Sequence, residues 1–435
     1  MKEILGVFTV AAFATSALAQ NCGPWSVVRT QNFGDQVNIL SDIASPRPDL
    51  AMSIGHWNGG GQFGKPIVLT WNGFVWNSVA LPSISHLGTD PQVRGVGRLP
   101  SQDLWVVGNI TTDTSAANLP LVMRWNNNTW NSVAAPTLRP QNIFPFGPRG
   151  GFAEDVAGIA DNDIWVVGSA AGWGDGTLTS VPMALHWNGT TWTDVEIPAV
   201  GDRSHTLTAV SASAPDNVWA IGMWRDLSNS FKSLIMRWNG RVWERISNLG
   251  EGLGGGTTGA VIALAPDDVW VSGLFHNAGV TLMHWNGTNW VLPSPSVPGM
   301  ITSFAAIAPN DIWGCDNTNG AFYHYDGETW SLMGAPSVPE STETLRGYGM
   351  DTAGPCKVWS VGAYTIGNTQ STLVESLGNT PCNADFNDDG ILDFFDYLDF
   401  VSAFGSGQFA ADFNGDLAID FFDYLDFVAS FSSGC

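Results

Sequence analysis

Asp163-Ile-Trp165-Val-Val-Gly168, followed nineteen residues later by Trp187-Asn-Gly-Thr-Thr-Trp192, is the stretch that decides the fold. A β-branched run led by Trp and stopped by Gly reads as a buried strand, and two aromatics around Asn-Gly read as a hairpin. The tight turn expected there needs φ > 0 at both central residues, which Asn and Gly tolerate. Working outward, the first signature recurs as Asp103-Leu-Trp105-Val-Val-Gly108, Asn217-Val-Trp219-Ala-Ile-Gly222, Asp268-Val-Trp270-Val-Ser-Gly273, Asp311-Ile-Trp313 and Lys357-Val-Trp359-Ser-Val-Gly362. Met52, three residues before Gly55, brings the set to seven. The second signature follows the first six copies, as in Trp71-Asn-Gly-Phe-Val-Trp76, Trp125-Asn-Asn-Asn-Thr-Trp130, Trp238-Asn-Gly-Arg-Val-Trp243, Trp285-Asn-Gly-Thr-Asn-Trp290 and Tyr325-Asp-Gly-Glu-Thr-Trp330.

A small-residue apolar strand, such as 207–214, precedes each Trp–Gly strand, so every unit offers four strands, A to D. The markers are spaced by 53, 60, 54, 51, 43 and 46 residues. Seven copies of four short antiparallel strands predict an all-β, seven-bladed β-propeller, because radial closure leaves no exposed sheet edges. No seventh D strand follows 372–377, but Pro24-Trp25-Ser-Val-Val28 matches Val75-Trp76-Asn-Ser-Val79. Residues 23–30 are therefore predicted to close the ring as the outer strand of blade 7.

Charge excludes one class of partner. With 17 Lys and Arg against 40 Asp and Glu, the net charge is −23, so nucleic acid finds no cationic surface. Residues 1–19 read as a signal peptide, with Lys2, an apolar core over 4–14 and Ala17-Leu18-Ala19 as cleavage site. No later run of 18 apolar residues suggests a transmembrane segment. The expectation is a secreted protein, extracellular or at the cell surface, with its propeller spanning 20–381.

Residues 382–435 hold eleven Asp and no Lys, Arg or Glu. Two copies of one pattern lie 27 residues apart, starting at Asp385 and Asp412. Oxygen donors fall at loop positions 1, 3, 5, 7, 9 and 12: Asp385, Asn387, Asp389, Ile391 (carbonyl), Asp393 and Asp396, then Asp412, Asn414, Asp416, Ala418 (carbonyl), Asp420 and Asp423. This is EF-hand spacing for Ca²⁺, with Asp in place of Glu at position 12. An all-oxygen set suits a hard cation. Leu417 stands where the first loop has Gly390, so the second of the two sites is expected to be weaker. Each loop runs into Tyr-Leu-Asp-Phe-Val, the start of an apolar helix, and no helix precedes it.

The Trp-rich repeats over 23–380 resemble exported bacterial propellers of the kelch and Asp-box sialidase-like group, although Asn or Asp here directly precedes Gly. The paired loop–helix units of 382–435 resemble the dockerin type I module, a small α-helical EF-hand-like calcium-binding domain. That resemblance implies a cohesin-like partner, or docking on the chain's own propeller, through helix aromatics such as Phe395 and Phe422. Of the five cysteines, Cys382 and Cys435 bracket the module and are expected to pair. Cys22 with Cys356 is the second expected bridge, leaving Cys315 free; Cys22 with Cys382 is the rival.

Eighteen of the 21 Trp occupy repeat positions and read as core. Trp57, Trp173 and Trp224 follow B strands, with Phe275 and Tyr364 at the position shared by Trp57 and Trp224, so the five could ring a ligand face or pack beneath their loops. His186, His284 and His324 share one repeat position with Arg124 and Arg237 and read as structural. No metal-like His spacing, nucleophile elbow or identifiable carboxylate pair appears, although Asp90 and Asp226 lie in loops. The chain thus reads as a non-catalytic propeller that binds a glycan or protein, anchored through the dockerin-like module. The alternatives are a polysaccharide-degrading enzyme (glycoside hydrolase or lyase) and a structural envelope component.

Overall fold

The computed structural model describes residues 24–59, 62–84, 87–111, 118–132, 138, 150–174, 177–198, 204–226, 228, 230–246, 258–275, 280–316, 320–338, 341–354, 356–378, 384, 386, 392–413 and 418–433. The proposed signal peptide, with Cys22, Cys382 and Cys435, lies outside them. The described strands form seven four-stranded antiparallel sheets. Six run A to D in chain order. In the seventh, Glu343–Gly354, Lys357–Ile366 and Thr369–Leu377 are completed by the N-terminal strand Trp25–Val28, with Trp25 opposite Leu377 and Val28 opposite Val374. Each A strand touches the A strands of its two neighbours, which makes the inner wall of a closed ring. The chain is an all-β seven-bladed propeller with a small C-terminal α-helical region.

Tryptophan joins the blades. The B-strand indole of one blade packs against the aromatics flanking the C–D turn of the next: Trp105 on Trp187 and Trp192, Trp165 on Trp238 and Trp243, Trp219 on Trp285 and Trp290, Trp359 on Trp71 and Trp76. Most of these contacts are edge-to-face or tilted, the arrangements favoured by the ring quadrupole. Where blade 1 has Met52, the same cluster is built from Met52, Trp125 and Trp130. Trp25 plays the turn-aromatic part for blade 7, lying edge-on to Trp313 of blade 6 at 5.7 Å and stacked on Phe322 at 4.0 Å.

The glycine that ends each marker has a steric cause. In six blades a bulge in strand A lies opposite it, as between Leu40 and Asp42 or Ala153 and Asp155. A Cβ on Gly55, Gly108, Gly168 or Gly222 would lie 1.8–2.0 Å from the carbonyl oxygen of residue 39, 92, 152 or 206. Only glycine admits that approach.

The C–D turns differ from the sequence expectation. At Asn72, Asn188, Asn239, Asn286 and Asp326 the side-chain oxygen accepts from the backbone N–H groups two and three residues on, at 2.8–3.1 Å. Only the glycine has positive φ, from 89 to 100°. The loop is an Asx turn, because the side-chain acceptor competes with the two-residue hairpin for the same N–H groups. Only blade 2, which lacks the glycine, has two positive-φ central residues, Asn127 (47°) and Asn128 (57°); Asn126 pairs with Thr129 around them.

The C-terminal region contains helices α1 (Phe394–Gly405) and α2 (Phe421–Ser433). Its core pairs residues 27 apart: Phe400 stacks on Phe427 at 3.9 Å, and the hydroxyls of Tyr397 and Tyr424 are 3.3 Å apart. Phe386 and Phe413 stand edge-on to Phe400 and Phe427, each at 5.5 Å. The sequence duplication is thus a pseudo-twofold in space.

Candidate functional site

In the C-terminal region the described donors sit where helix starts need them. The Asp393 side chain accepts from Phe395 N at 2.7 Å, and Asp396 accepts from Asp393 N at 2.8 Å, a reciprocal cap. Asp420 and Asp423 repeat this at 2.8 and 2.7 Å. Asp396 and Asp423 are fully buried and Asp412 is 3% exposed. Burying a carboxylate is costly unless it is paired or coordinated. The oxygen groups of Asp412 at position 1 of the second loop and of Asp396 and Asp423 at position 12 are of a type that could hold a hard cation. Asp385, Asn387, Asp389, Ile391, Asn414 and Asp416 lie outside the described residues. Among the described ones no group of three or more potential ligands converges.

Cys356 is disulfide-bonded and Cys315 is a free, buried thiol. The partner of Cys356 lies outside the described residues, so its pairing with Cys22 stands as an expectation.

Of the five aromatics expected to ring a ligand face or to pack beneath their loops, Phe275 is the one the described side chains place in the core. Phe275 is 2% exposed and belongs to the core with Trp219, Val271 and Met283. Trp57 is half-buried and packs against the buried cluster that contains Leu40, Ile67 and Val361. Trp224 stacks on His205 at 6.3 Å under the guanidinium of Arg245 at 5.5 Å. Tyr364 is half-buried, and the Trp173 side chain lies outside the described residues. The physical reason is register: Trp57, Trp224 and Phe275 still lie on B strands and pack on clusters between neighbouring sheets. Asp90, expected in a loop, lies on the first strand of blade 2 and pairs with Lys65 of blade 1 at 3.2 Å, while Asp226 holds its own loop by accepting from Ser230 N at 2.9 Å.

The repeat-position histidines are structural. His186, His284 and His324 each place Nε2 2.8 Å from Asp163, Asp268 and Asp311, two residues before a B-strand Trp. Each ring stacks on that Trp at 4.2–4.4 Å. Arg124 reaches Asp103 in the same way, and Arg237 reaches Asn217.

What the sequence reading missed lies on the innermost strands. Asp42, Asp155 and Asp351 accept from Val96 N, Val210 N and Ser45 N of the following blade at 2.7–2.8 Å. Their other oxygens accept from their own next residue. Desolvation raises all three, Asp155 to about 6; the Asp155 charge adds to the rise at Asp42, and Arg98 opposes it at Asp351. With both oxygens of each bonded to backbone, these carboxylates tie blades together.

Beside them, strands of blades 1, 2 and 3 enclose a polar cleft of about 460 Å³, lined by Ser41, His56, Asn58, Gln92, Arg94 and Glu154 among others. Ser41, Arg94 and Glu154 are the bulge residues of their A strands, so the bulge that demands glycine on strand B also aims a side chain inward. The Arg94 guanidinium donates to Glu154 at 3.1 Å and to Asn109 at 2.9 Å. Burial first, then the Arg94 charge, lowers the His56 imidazole below its ordinary value. The signal that could have found this cleft is polar residues one position before the equivalent bulge partners Asp42, Gly95 and Asp155.

No family model matches the chain, and no curated protein does. Among solved structures it is similar to YCF48 bound to D1 peptide, at 13% identity and a TM-score of 0.50 over 83% of this chain and 99% of that one. It is also similar to virginiamycin B lyase from Staphylococcus aureus, at 11% and 0.48 over 82% and 98%. A third is the GH93 α-L-arabinofuranosidase of Fusarium graminearum with arabinobiose, at 11% and 0.43 over 78% and 93%. At such identities the likeness extends to the propeller fold alone.

Proposed function

We propose that this chain is an exported, non-catalytic propeller that binds a glycan or protein and is tethered by a calcium-dependent docking module of the dockerin kind. The observation that carries the tether is paired exposure. Phe394 and Phe421 are both 64% exposed, Phe395 and Phe422 are 63% and 64%, and Leu398 and Leu425 are both 45%. Two helices that each spend one apolar face on their shared core keep a second apolar face in water, at equivalent positions of the duplicated unit. Contiguous exposed apolar groups of this kind mark an interaction surface, and a cohesin-like protein is the partner implied. Calcium would be held by Asp385, Asn387, Asp389, Ile391, Asp393 and Asp396 in one loop and by Asp412, Asn414, Asp416, Ala418, Asp420 and Asp423 in the other. There it would draw together carboxylates that otherwise repel. Binding is favoured over turnover on the propeller because Asp42, Asp155 and Asp351 are committed to backbone N–H groups of neighbouring blades and Glu154 is paired with Arg94.

The test is capture of the mature protein on an immobilised cohesin, with calcium and then with chelator. Capture lost with chelator, and lost in the Phe395→Ala/Phe422→Ala double variant, is the expected result. Capture or helix content indifferent to chelator sinks the calcium reading. Assaying the same preparation for release of reducing ends tests the enzyme alternative, since turnover that co-purifies through independent batches replaces the binding role.

A further inference from the structure

We infer that the cleft between blades 1, 2 and 3 is a recognition site for a neutral polyhydroxylated ligand, a glycan chain without charged substituents. This rests on the reading of the propeller as a binding domain and names both its site and its ligand class.

Charge balance narrows the chemistry first. Arg94 is the cation of the cleft and Glu154 its anion, and they are already paired at 3.1 Å. His56 gains no compensating positive charge, because its half-buried ring and the adjacent guanidinium both favour the neutral form. An anionic ligand would have to draw Arg94 from Glu154 and approach a chain of net charge −23; a cationic ligand would have to draw Glu154 from Arg94. Neither gains a full unpaired counter-charge.

The remaining groups are fixed in direction. Asn58 Oδ1 accepts from Gly64 N, which leaves its Nδ2 as a donor. Gln92 Nε2 donates to Gly64 O at 2.8 Å, which leaves its Oε1 as an acceptor. The N–H and C=O of one residue, Gly64, therefore hold the two amides, which leaves a donor on one and an acceptor on the other. Gly64 has φ of 59°, and a Cβ there would lie 3.2 Å from Gln92 Oε1, so the arrangement also depends on this glycine. A hydroxyl donates and accepts through one atom and can satisfy both amides at once; adjacent hydroxyls extend the match to Glu154 and Arg94. A peptide would instead need an apolar anchor pocket, and among the described residues Val93 is the one aliphatic side chain lining the cleft. Groups already held by the fold lose little freedom when a ligand arrives.

The experiment is calorimetric titration of the full mature protein with cellohexaose, xylohexaose and laminarihexaose, beside polygalacturonate and chitosan as charged probes. The variants are Asn58→Ala, Gln92→Ala and Glu154→Gln, each checked for an unchanged melting profile. At least one neutral hexasaccharide is expected to bind, equally at 0.05 and 0.5 M salt, since no charge is screened. Each substitution is expected to weaken it about tenfold. Neutral binding untouched by all three substitutions overturns the site. Binding of the charged probes alone overturns the ligand class. Silence across the whole panel overturns the inference itself, while cohesin capture, read on the helices, would stand or fall separately.

Discussion

At the residue scale, the marker glycine and the turn glycine answer different constraints. Gly108 lies under a bulge, and a Cβ there would come within 1.9 Å of the Gln92 carbonyl oxygen. Gly108→Ala is expected to cost more than about 2 kcal/mol, because backbone on both sides must move. Gly334→Ala, with nothing within 4 Å of the added Cβ, should stay within about 0.5 kcal/mol of the parent. Urea unfolding of both variants checks this, and equal midpoints would refute the bulge explanation. Lys357 shows how one position of the repeat can change chemistry without losing its place. It stands where five other blades have Asp or Asn, and its ammonium lies 4.2 Å from the Trp359 ring centroid. Burial pulls it down to about 8.

At the scale of elements, the N-terminal strand carries the most consequence for its length. Four residues complete blade 7, and Trp25, 7% exposed, fills the gap against Trp313 and Phe322. Trp25→Ala is expected to cost about 3–5 kcal/mol, the range for a large buried aromatic, and to expose the first residues to protease before the rest unfolds. A melting temperature within experimental scatter of the parent would mean that the ring does not depend on this closure. The helices α1 and α2 behave in the opposite way. Both faces of these helices carry apolar residues, so pattern alone does not separate the buried face from the exposed one. The structure does so through the Phe400–Phe427 stack, which assigns the face that is buried.

At the scale of the whole molecule, buried acids set the response to pH. Desolvation raises Asp155 to about 6 and Glu375, bonded to Arg346 at 2.7 Å, to about 7; Asp42 and Asp351 are raised as well. Folded-state values above the unfolded ones mean that the native protein retains protons which the unfolded chain has released. Their contribution is fully present below about pH 4 and is lost as pH climbs through 6 to 7. His56, lowered in the fold, opposes this over the narrow interval below its ordinary value. Lys357, also lowered, restores stability only above about pH 8. Melting temperature is therefore expected to fall from pH 5 to a minimum near pH 8, and Glu375→Gln should flatten the slope. A profile that rises steadily across that interval would show that these acids ionise freely in the fold.

Sequence by itself determined the number of blades, the four-strand unit, the N-terminal closure and the duplicated acidic loops. The reason is that each is written locally: a strand with its Trp and Gly, a turn with its Asn, an acidic spacing repeated after 27 residues. Only the tertiary structure decided which side chains share a space. Phe275 resembles Trp57 and Trp224 in sequence position, yet it is core, because burial depends on the neighbouring blade that covers it. The Asn-Gly turns kept their place but took an Asx geometry, since side-chain oxygens compete for N–H groups in a way residue identity leaves open. Ser41, Arg94 and Glu154 come from three blades and lie 53 and 60 residues apart. No local pattern joins them, and only closing the ring brings them to one cleft.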